Sequence, residues 1–372
     1  MFLNFFLCAV ASSRQNGINI FMKRYRLVFI LFVVLLLTGC NGCNRGENRE
    51  KDVSAIKVDI QLLRFDKDLF GFASDDFAQH EASMRAKYGS FYNFYINQFV
   101  IGPRPVGDTA DIHEAAIKKF ISDDYIKRIQ DSINYHFSNT KDIEADLIQS
   151  FKYFKYYFPE VKVPKIVTIN STFSLGAFTY DKDMMGIGLD LYFGARNPDY
   201  DSAGIYQYAQ HKMRREYIAR NAMEVLYNLY FGEDELSHGK TLVEAMVDKG
   251  KKMYFLDYIL PNAQDSMIVG FTEKQTKWCE ASEYEIWKFL NDKDLLYKDN
   301  YMDQKRYLDE GPNTPGMPAE APGNIGSWIG LQIVRQFMAK TGNKISMRDL
   351  ILKYDAKMIL EKAKYRPSKS VF

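Results

Sequence analysis

Residues 165–193 read KIVTINSTFSLGAFTYDKDMMGIGLDLYF, and their periodicity decides the fold. Ile166, Val167 and Ile169 form a short β-branched run. Met185, Ile187, Leu189 and Leu191 then alternate with Gly186, Gly188, Asp190 and Tyr192, which is the period-two pattern of strands. Asp181-Lys182-Asp183 between them marks a turn, so two or three strands are expected in mid-chain. Gly186-Ile187-Gly188 is too little for a dinucleotide loop and reads as glycines that ease strand packing.

Around this stretch the period is helical. Upstream, Ile126, Ile129, Ile133 and Phe137 form one apolar stripe, and Ile143, Leu147, Phe151, Phe154 and Phe158 form another that Pro159 ends. Earlier still, Ile56, Val58, Ile60 and Leu62 alternate with polar residues and predict an opening strand. Downstream, a helix is expected over Tyr206 to Tyr230. Thr241 and Glu244 form a capping-box signature for the next helix, and Thr272 with Gln275 repeats it. Four prolines and no period between Tyr297 and Gly326 predict a long loop, ordered in part and bordering a concave face. A helix from Gly326 to Lys340, stopped at Gly342, and one opened by Ser346 close the chain. Helices, then a small central sheet, then helices predict a mostly helical α+β domain rather than a doubly wound parallel sheet.

The N-terminus has a different character. Met22 to Cys40 reads MKRYRLVFILFVVLLLTGC, with Lys23, Arg24 and Arg26 ahead of an apolar run from Leu27 to Leu37. That run is short of the roughly 20 residues of a spanning helix and ends in Leu37-Thr38-Gly39-Cys40, a lipobox, rather than a basic flank. Residues 1–39 are therefore expected to be a signal peptide whose true start is Met22. Residues 40–54 are expected to be a lipidated tether and 55–372 a single globular domain. Acylation of Cys40 with two or three chains would give a stable membrane anchor in the cell envelope, with the domain facing the periplasm. Removing the segment to Gly39, with Arg14, Lys23, Arg24, Arg26 and no acid, takes the formal charge from +2 to −2, which argues against a nucleic-acid partner. Of the four cysteines only Cys43 and Cys279 remain after Cys8 and Cys40, without CxxC spacing, so no disulfide framework or cysteine zinc site is expected.

Catalytic signatures are absent. His113-Glu114 and His80-Glu81 begin a His-Glu-x-x-His motif but meet Ile117 and Met84 where the second imidazole should stand. No nucleophile elbow or phosphate-binding loop occurs. Asp75-Asp76 and Asp123-Asp124 read as helix N-terminal charges, Trp278, Trp287 and Trp328 as core, and Cys279 as a small buried hydrophobe.

Five segments in order resemble the gliding-motility lipoprotein B family, GldB. They are KVDIQLLRFDKDLF (57–70), TLVEAMVDKGKKMYFLDYILP (241–261), GFTEKQTKWCEASEYEIWKFL (270–290), GNIGSWIGLQIVRQFM (323–338) and KYRPSK (364–369). Pro318 to Asn324 departs from the Ser-Pro-Gly-Arg-like turn that the resemblance leads one to expect. The resemblance implies a lipid-anchored envelope protein of the gliding motility or secretion apparatus. It also implies a degenerate zincin-like domain, because the family resembles zincin-fold peptidases. Aligning Glu244 with a zincin's third ligand puts the His-Glu-x-x-His positions on Asn221, Ala222 and Val225, a vestigial site without imidazoles or general base. Glu244 is fully explained as the partner of Thr241 in a helix cap, a common local signature and the favoured reading over a relic ligand. The function expected is non-catalytic binding of other envelope proteins, with no metal and no cofactor. The alternatives are a peptidase or other hydrolase of unrecognised constellation, and a glycan- or nutrient-binding lipoprotein.

Overall fold

The computed structural model describes residues 51–72, 76–102, 110–232, 239–342 and 344–369. The chain divides into two units, Met1–Lys51 and Asp52–Phe372. The signal segment, Cys40 and most of the expected tether lie outside the described residues, as does Asp75.

The second unit runs β1 (Leu62–Arg64), α1 (Phe65–Phe70), α2 (Phe77–Tyr88), α3 (Ser90–Tyr95), a π-type turn (Ile96–Ile101), α4 (Ala110–Ser122), α5 (Asp124–His136) and α6 (Lys141–Tyr157). Next come β2 (Lys165–Ile169), β3 (Ala177–Thr179), β4 (Met184–Gly188) and a 3-10 turn (Leu189–Tyr192). Helices follow: α7 (Pro198–Ser202), α8 (Gln207–Gln210), α9 (Tyr217–Phe231), α10 (Leu242–Ile259), α11 (Asp265–Val269) and α12 (Glu273–Asp292). The last four are α13 (Tyr301–Leu308), α14 (Ile325–Lys340), α15 (Met347–Lys353) and α16 (Ala356–Ala363). The architecture is the mostly helical α+β arrangement expected, with one small four-stranded sheet.

The sheet order is β1-β2-β4-β3, with β1, β2 and β4 parallel and β3 antiparallel to β4. Both faces are covered. Ile166, Met185 and Ile187 pack into the larger core with α6, α9, α10 and α14, while Val167 and Ile169 face an aromatic cluster of Phe65, Tyr88, Phe91 and Tyr95. Burial on two faces is what parallel strands require, and it explains the near-continuous apolar run of β2. The glycines of β4 serve packing: a Cβ on Gly186 would sit 2.1 Å from the Phe178 ring, and one on Gly188 would sit 2.0 Å from the Leu175 carbonyl.

Several expectations shift by a few residues. The opening strand was expected over Ile56 to Leu62, and burial does alternate there, but pairing starts only at Leu62. The register Leu62↔Ile166 would set Ile60 opposite Pro164, which has no N–H to give, so the ladder stops. Val53, placed on the tether, is 6% exposed and part of the core. The helix expected over Tyr206 to Tyr230 is divided into α8 and α9, because the Gly194 N–H donates to the Met213 carbonyl and draws residues 211–216 into a short pairing with the chain after the 3-10 turn. The expected loop after Tyr297 contains α13, capped by Asn300, whose side chain accepts from the Asp303 N–H.

Two buried carboxylates pin the sheet's C-terminal edge. Asp66 accepts from Arg64 and from Thr168 Oγ1 at 2.5 Å, and from Gln130 at 3.3 Å, tying β1, β2 and α5 together. Asp190 accepts from the Ser171 N–H and hydroxyl, each at 2.8 Å, and from the Phe173 N–H. This holds Thr172 and Phe173 in the left-handed region at φ 53° and 62°, where non-glycine residues are strained.

Candidate functional site

A cleft of about 620 Å³ opens where three chain reversals meet. Pro261 follows the last turn of α10 and ends it. Gly270, left-handed at φ 75°, closes α11, and Thr272 starts α12 through the capping box with Gln275. These stops leave the ends of α10, α11 and α12 around one opening, whose opposite wall is Asp146, Gln149 and Ser150 of α6 and the first turn of α9. The volume lies within the range of small-molecule and peptide pockets.

The lining is mixed. Tyr217, Ile259, Met267 and Phe271 supply apolar wall, and the amides of Gln149, Asn262 and Gln264 supply neutral donors and acceptors. Arg220 is 7% exposed and deeply engaged. It donates to Glu224 on its own helix and, at 3.1 Å, to the Ile268 carbonyl, so it fastens α9 to α11. Burial raises the Glu224 carboxyl, but Arg220 and Lys252 outweigh it and hold the group below its ordinary value. His211 sits between this cleft and a narrower one bordered by Tyr208, Glu310, Gly311 and Asn324. Its ring nitrogens face two backbone carbonyls, Nδ1 that of Tyr208 at 2.8 Å and Nε2 that of Gly270 at 3.0 Å. Burial nevertheless lowers its proton affinity below that of an ordinary histidine. The neutral ring has one N–H and donates to one of these carbonyls at a time, either within the α8 turn to Tyr208 or across to Gly270 at the end of α11.

The proline-rich segment supplies Gly311, Pro322, Gly323 and Asn324 to the narrower cleft. Within it Thr314 Oγ1 donates to the Pro322 carbonyl.

The residues singled out from sequence are distributed as follows. Asn221, on α9, donates to the Tyr192 hydroxyl at 3.1 Å; Ala222 is fully buried and Val225 packs partly buried against the core. Glu244 is the third residue of α10. Its carboxylate accepts from the Thr241 N–H at 2.7 Å and hydroxyl at 2.8 Å, and Lys357 of α16 lies 3.7 Å away. Burial pushes this carboxyl up, but Thr241 and Lys357 prevail and hold it below the ordinary glutamate value. Among the described residues Glu244 shares no hydrogen bond with Asn221, because each is held by other partners. No group of three His, Cys, Asp or Glu side chains among the described residues is placed to hold a metal. The two incomplete motifs do touch: His113 Nδ1 lies 3.3 Å from Glu81, while His80 bonds the Asp68 carbonyl. Trp328 is 2% exposed as expected, Trp278 and Trp287 are only partly buried, and Cys279 is fully buried with its thiol pushed far up by burial. Sequence reasoning missed the cleft residues of α6, because Asp146 and Gln149 are the exposed side of a helix recognised by its buried stripe.

Among the described residues no helix is long and apolar enough to cross a membrane. Comparison with the curated proteins and with the solved structures found no match. The family described as "Gliding motility protein GldB" matches residues 46–367, nearly the whole second unit, and its short name, GldB_lipo, marks lipoproteins. On that match the chain belongs to the gliding motility protein GldB family.

Proposed function

We infer that the chain is a non-catalytic envelope lipoprotein, anchored through Cys40, that serves the gliding or secretion apparatus by holding a segment of another envelope protein in the cleft beside α9. The observation that carries this reading is the make-up of that cleft. It is large enough for a few residues of an extended chain, amides and carboxylates are among its lining residues, and the ring of its histidine lies between two backbone carbonyls. Membership of a gliding family supplies the setting.

A photo-reactive amino acid at Gln264, in the cleft, should capture one protein partner in gliding cells, whereas the same group at the exposed Glu361 should not. Equal capture at both positions, or none at Gln264, would count against the reading. Stoichiometric zinc in the purified chain, with hydrolysis of a peptide substrate, would replace it with an enzyme.

A further inference from the structure

Charge is divided unevenly along the chain. Residues 340–372 hold nine lysines and arginines against three acids, whereas residues 40–339 carry a formal charge of −8. The basic stretch folds as the end of α14, α15, α16 and the segment up to Lys369, and all nine cations are exposed. Arg348, Lys353 and Lys357 are answered by Glu160, Asp349 and Glu244. Lys340, Lys344, Lys362, Lys364, Arg366 and Lys369 have no ion pair among the described residues. Of the three acids, Asp349 is spent on Lys353 and Asp355 caps α16, which leaves Glu361 against these six. The fold gathers four of the six around the end of α16. The Lys340 ammonium donates to the Ala363 and Lys364 carbonyls, and that of Lys362 lies over the Tyr354 ring, 4.9 Å from its centroid. Tyr365 is buried and donates to Glu283 at 2.7 Å, which holds Lys364 and Arg366 on either side of a fixed point. Like charges so placed repel one another, and an anionic surface would relieve that repulsion.

Two features select the kind of anion. Leu352 and Met358 stand 51% and 38% exposed within the same stretch. Aliphatic groups among lysines suit a lipid interface, where stems and apolar side chains enter the headgroup layer while ammonium groups meet phosphates; a soluble anion would leave both residues in water. The second feature is position. Asp59 and Ile60, shortly after Val53 enters the core, border a groove with Val163 and Pro164, and Glu160 of that same stretch is paired with Arg348 of α15. Residues 160 and 164 are at most about 14 Å apart, so α15 lies close to where the chain arrives from Cys40. Residues 41–52 span at most about 40 Å, which keeps a bilayer that holds Cys40 within range of the basic surface.

We propose that the end of α14, α15, α16 and the segment after it form a surface that lies on an anionic phospholipid layer, with Lys340, Lys362, Lys364, Arg366 and Lys369 toward the phosphates and Leu352 and Met358 entering among the headgroups. This rests on the reading of the chain as a lipoprotein anchored through Cys40. The full chain, purified from membranes in detergent and reconstituted into vesicles, tests it by acetylation with a membrane-impermeant amine reagent, read at each lysine by mass spectrometry. In phosphatidylcholine vesicles containing about 30% phosphatidylglycerol, Lys362, Lys364 and Lys369 should react about fivefold more slowly than in phosphatidylcholine alone. Raising salt from about 50 to about 300 mM should restore their reactivity. Rates are taken relative to Lys119, exposed on α4 at the aromatic side of the sheet, which should react alike in both. Lys362→Gln with Lys364→Gln should remove most of the protection at Lys369, and the unsubstituted chain needs no variant to show the lipid dependence. Equal reactivity in the two kinds of vesicle would overturn the proposal. So would equal protection at Lys119, or full protection in phosphatidylcholine alone, which would make the contact apolar. A chain that floats with neither kind of vesicle would overturn the anchor and the proposal together, whereas one that floats with these lysines fully reactive would overturn the proposal alone.

Discussion

At the residue scale, Asp190 has the clearest consequence. Burial pushes its carboxyl up to about 6, although the Ser171 and Phe173 donors pull the other way. The folded value then exceeds that of the unfolded chain, so between about pH 4 and about pH 6 the native state binds the extra proton and stability falls as pH rises through that window. Two units correspond to at most about 3 kcal/mol. Urea midpoints measured across this range should show a decline that Asp190→Asn removes; parallel profiles for the two proteins would refute it. Asp190→Ala, which leaves the Ser171 and Phe173 N–H groups unmet around two strained residues, should cost about 2 to 4 kcal/mol at neutral pH. Glu244 belongs to the same scale. As a cap partner it should tolerate Glu244→Gln with little change, because glutamine serves equally at that position, while Thr241→Ala should cost about 1 kcal/mol. Lys357→Ala should be nearly silent, since Lys357 is 79% exposed. Thermal melts of the three variants check the order, and a loss on Glu244→Gln matching that on Thr241→Ala would show that the carboxylate has a further task.

At the element scale, α10 and α14 approach closely at a pair of glycines. A Cβ on Gly330 would lie 1.7 Å from the Met246 carbonyl oxygen, and one on Gly250 would lie 2.2 Å from Gly330. Both obstacles are backbone and cannot step aside. Gly330→Ala sets two effects against each other: helix propensity favours alanine by about 1 kcal/mol, while forcing two packed helices apart costs about 3 kcal/mol or more. The second wins, so denaturant unfolding should show a net loss of about 2 kcal/mol or greater. A stabilised Gly330→Ala chain would mean that the helices are farther apart than described. Elements also show how local signals were read. Thr241 and Thr272 announced α10 and α12 because a capping box lies within four residues. The division between α8 and α9 was invisible, because it depends on Gly194 meeting Met213 across nineteen positions of sequence.

At the scale of the whole molecule, anchoring and folding are separable. Cys40→Ala should release the chain from membranes without altering its melt, because Val53 is the first of the described residues to join the core. Fractionation after a high-salt wash is the check, and a variant that still pellets would point to an uncleaved signal or to retention by protein contacts. By itself the sequence determined the lipobox expectation, the α+β class, the stripes of α5 and α6, the capped starts of α10 and α12, and the likeness to GldB. Each of these is written in residues close together in the chain, or in motifs that recur in order. Tertiary structure alone decided the rest. The parallel pairing of β1 with β2 joins residues about a hundred positions apart. The knot at Asp190 depends on a carboxylate reaching a loop seventeen to nineteen residues earlier. The cleft unites the exposed side of α6 with the ends of four later helices. Periodicity reports which side of a helix is buried, so the exposed side that carries Asp146 acquires meaning only when the fold sets Glu216 and Glu273 around the same opening.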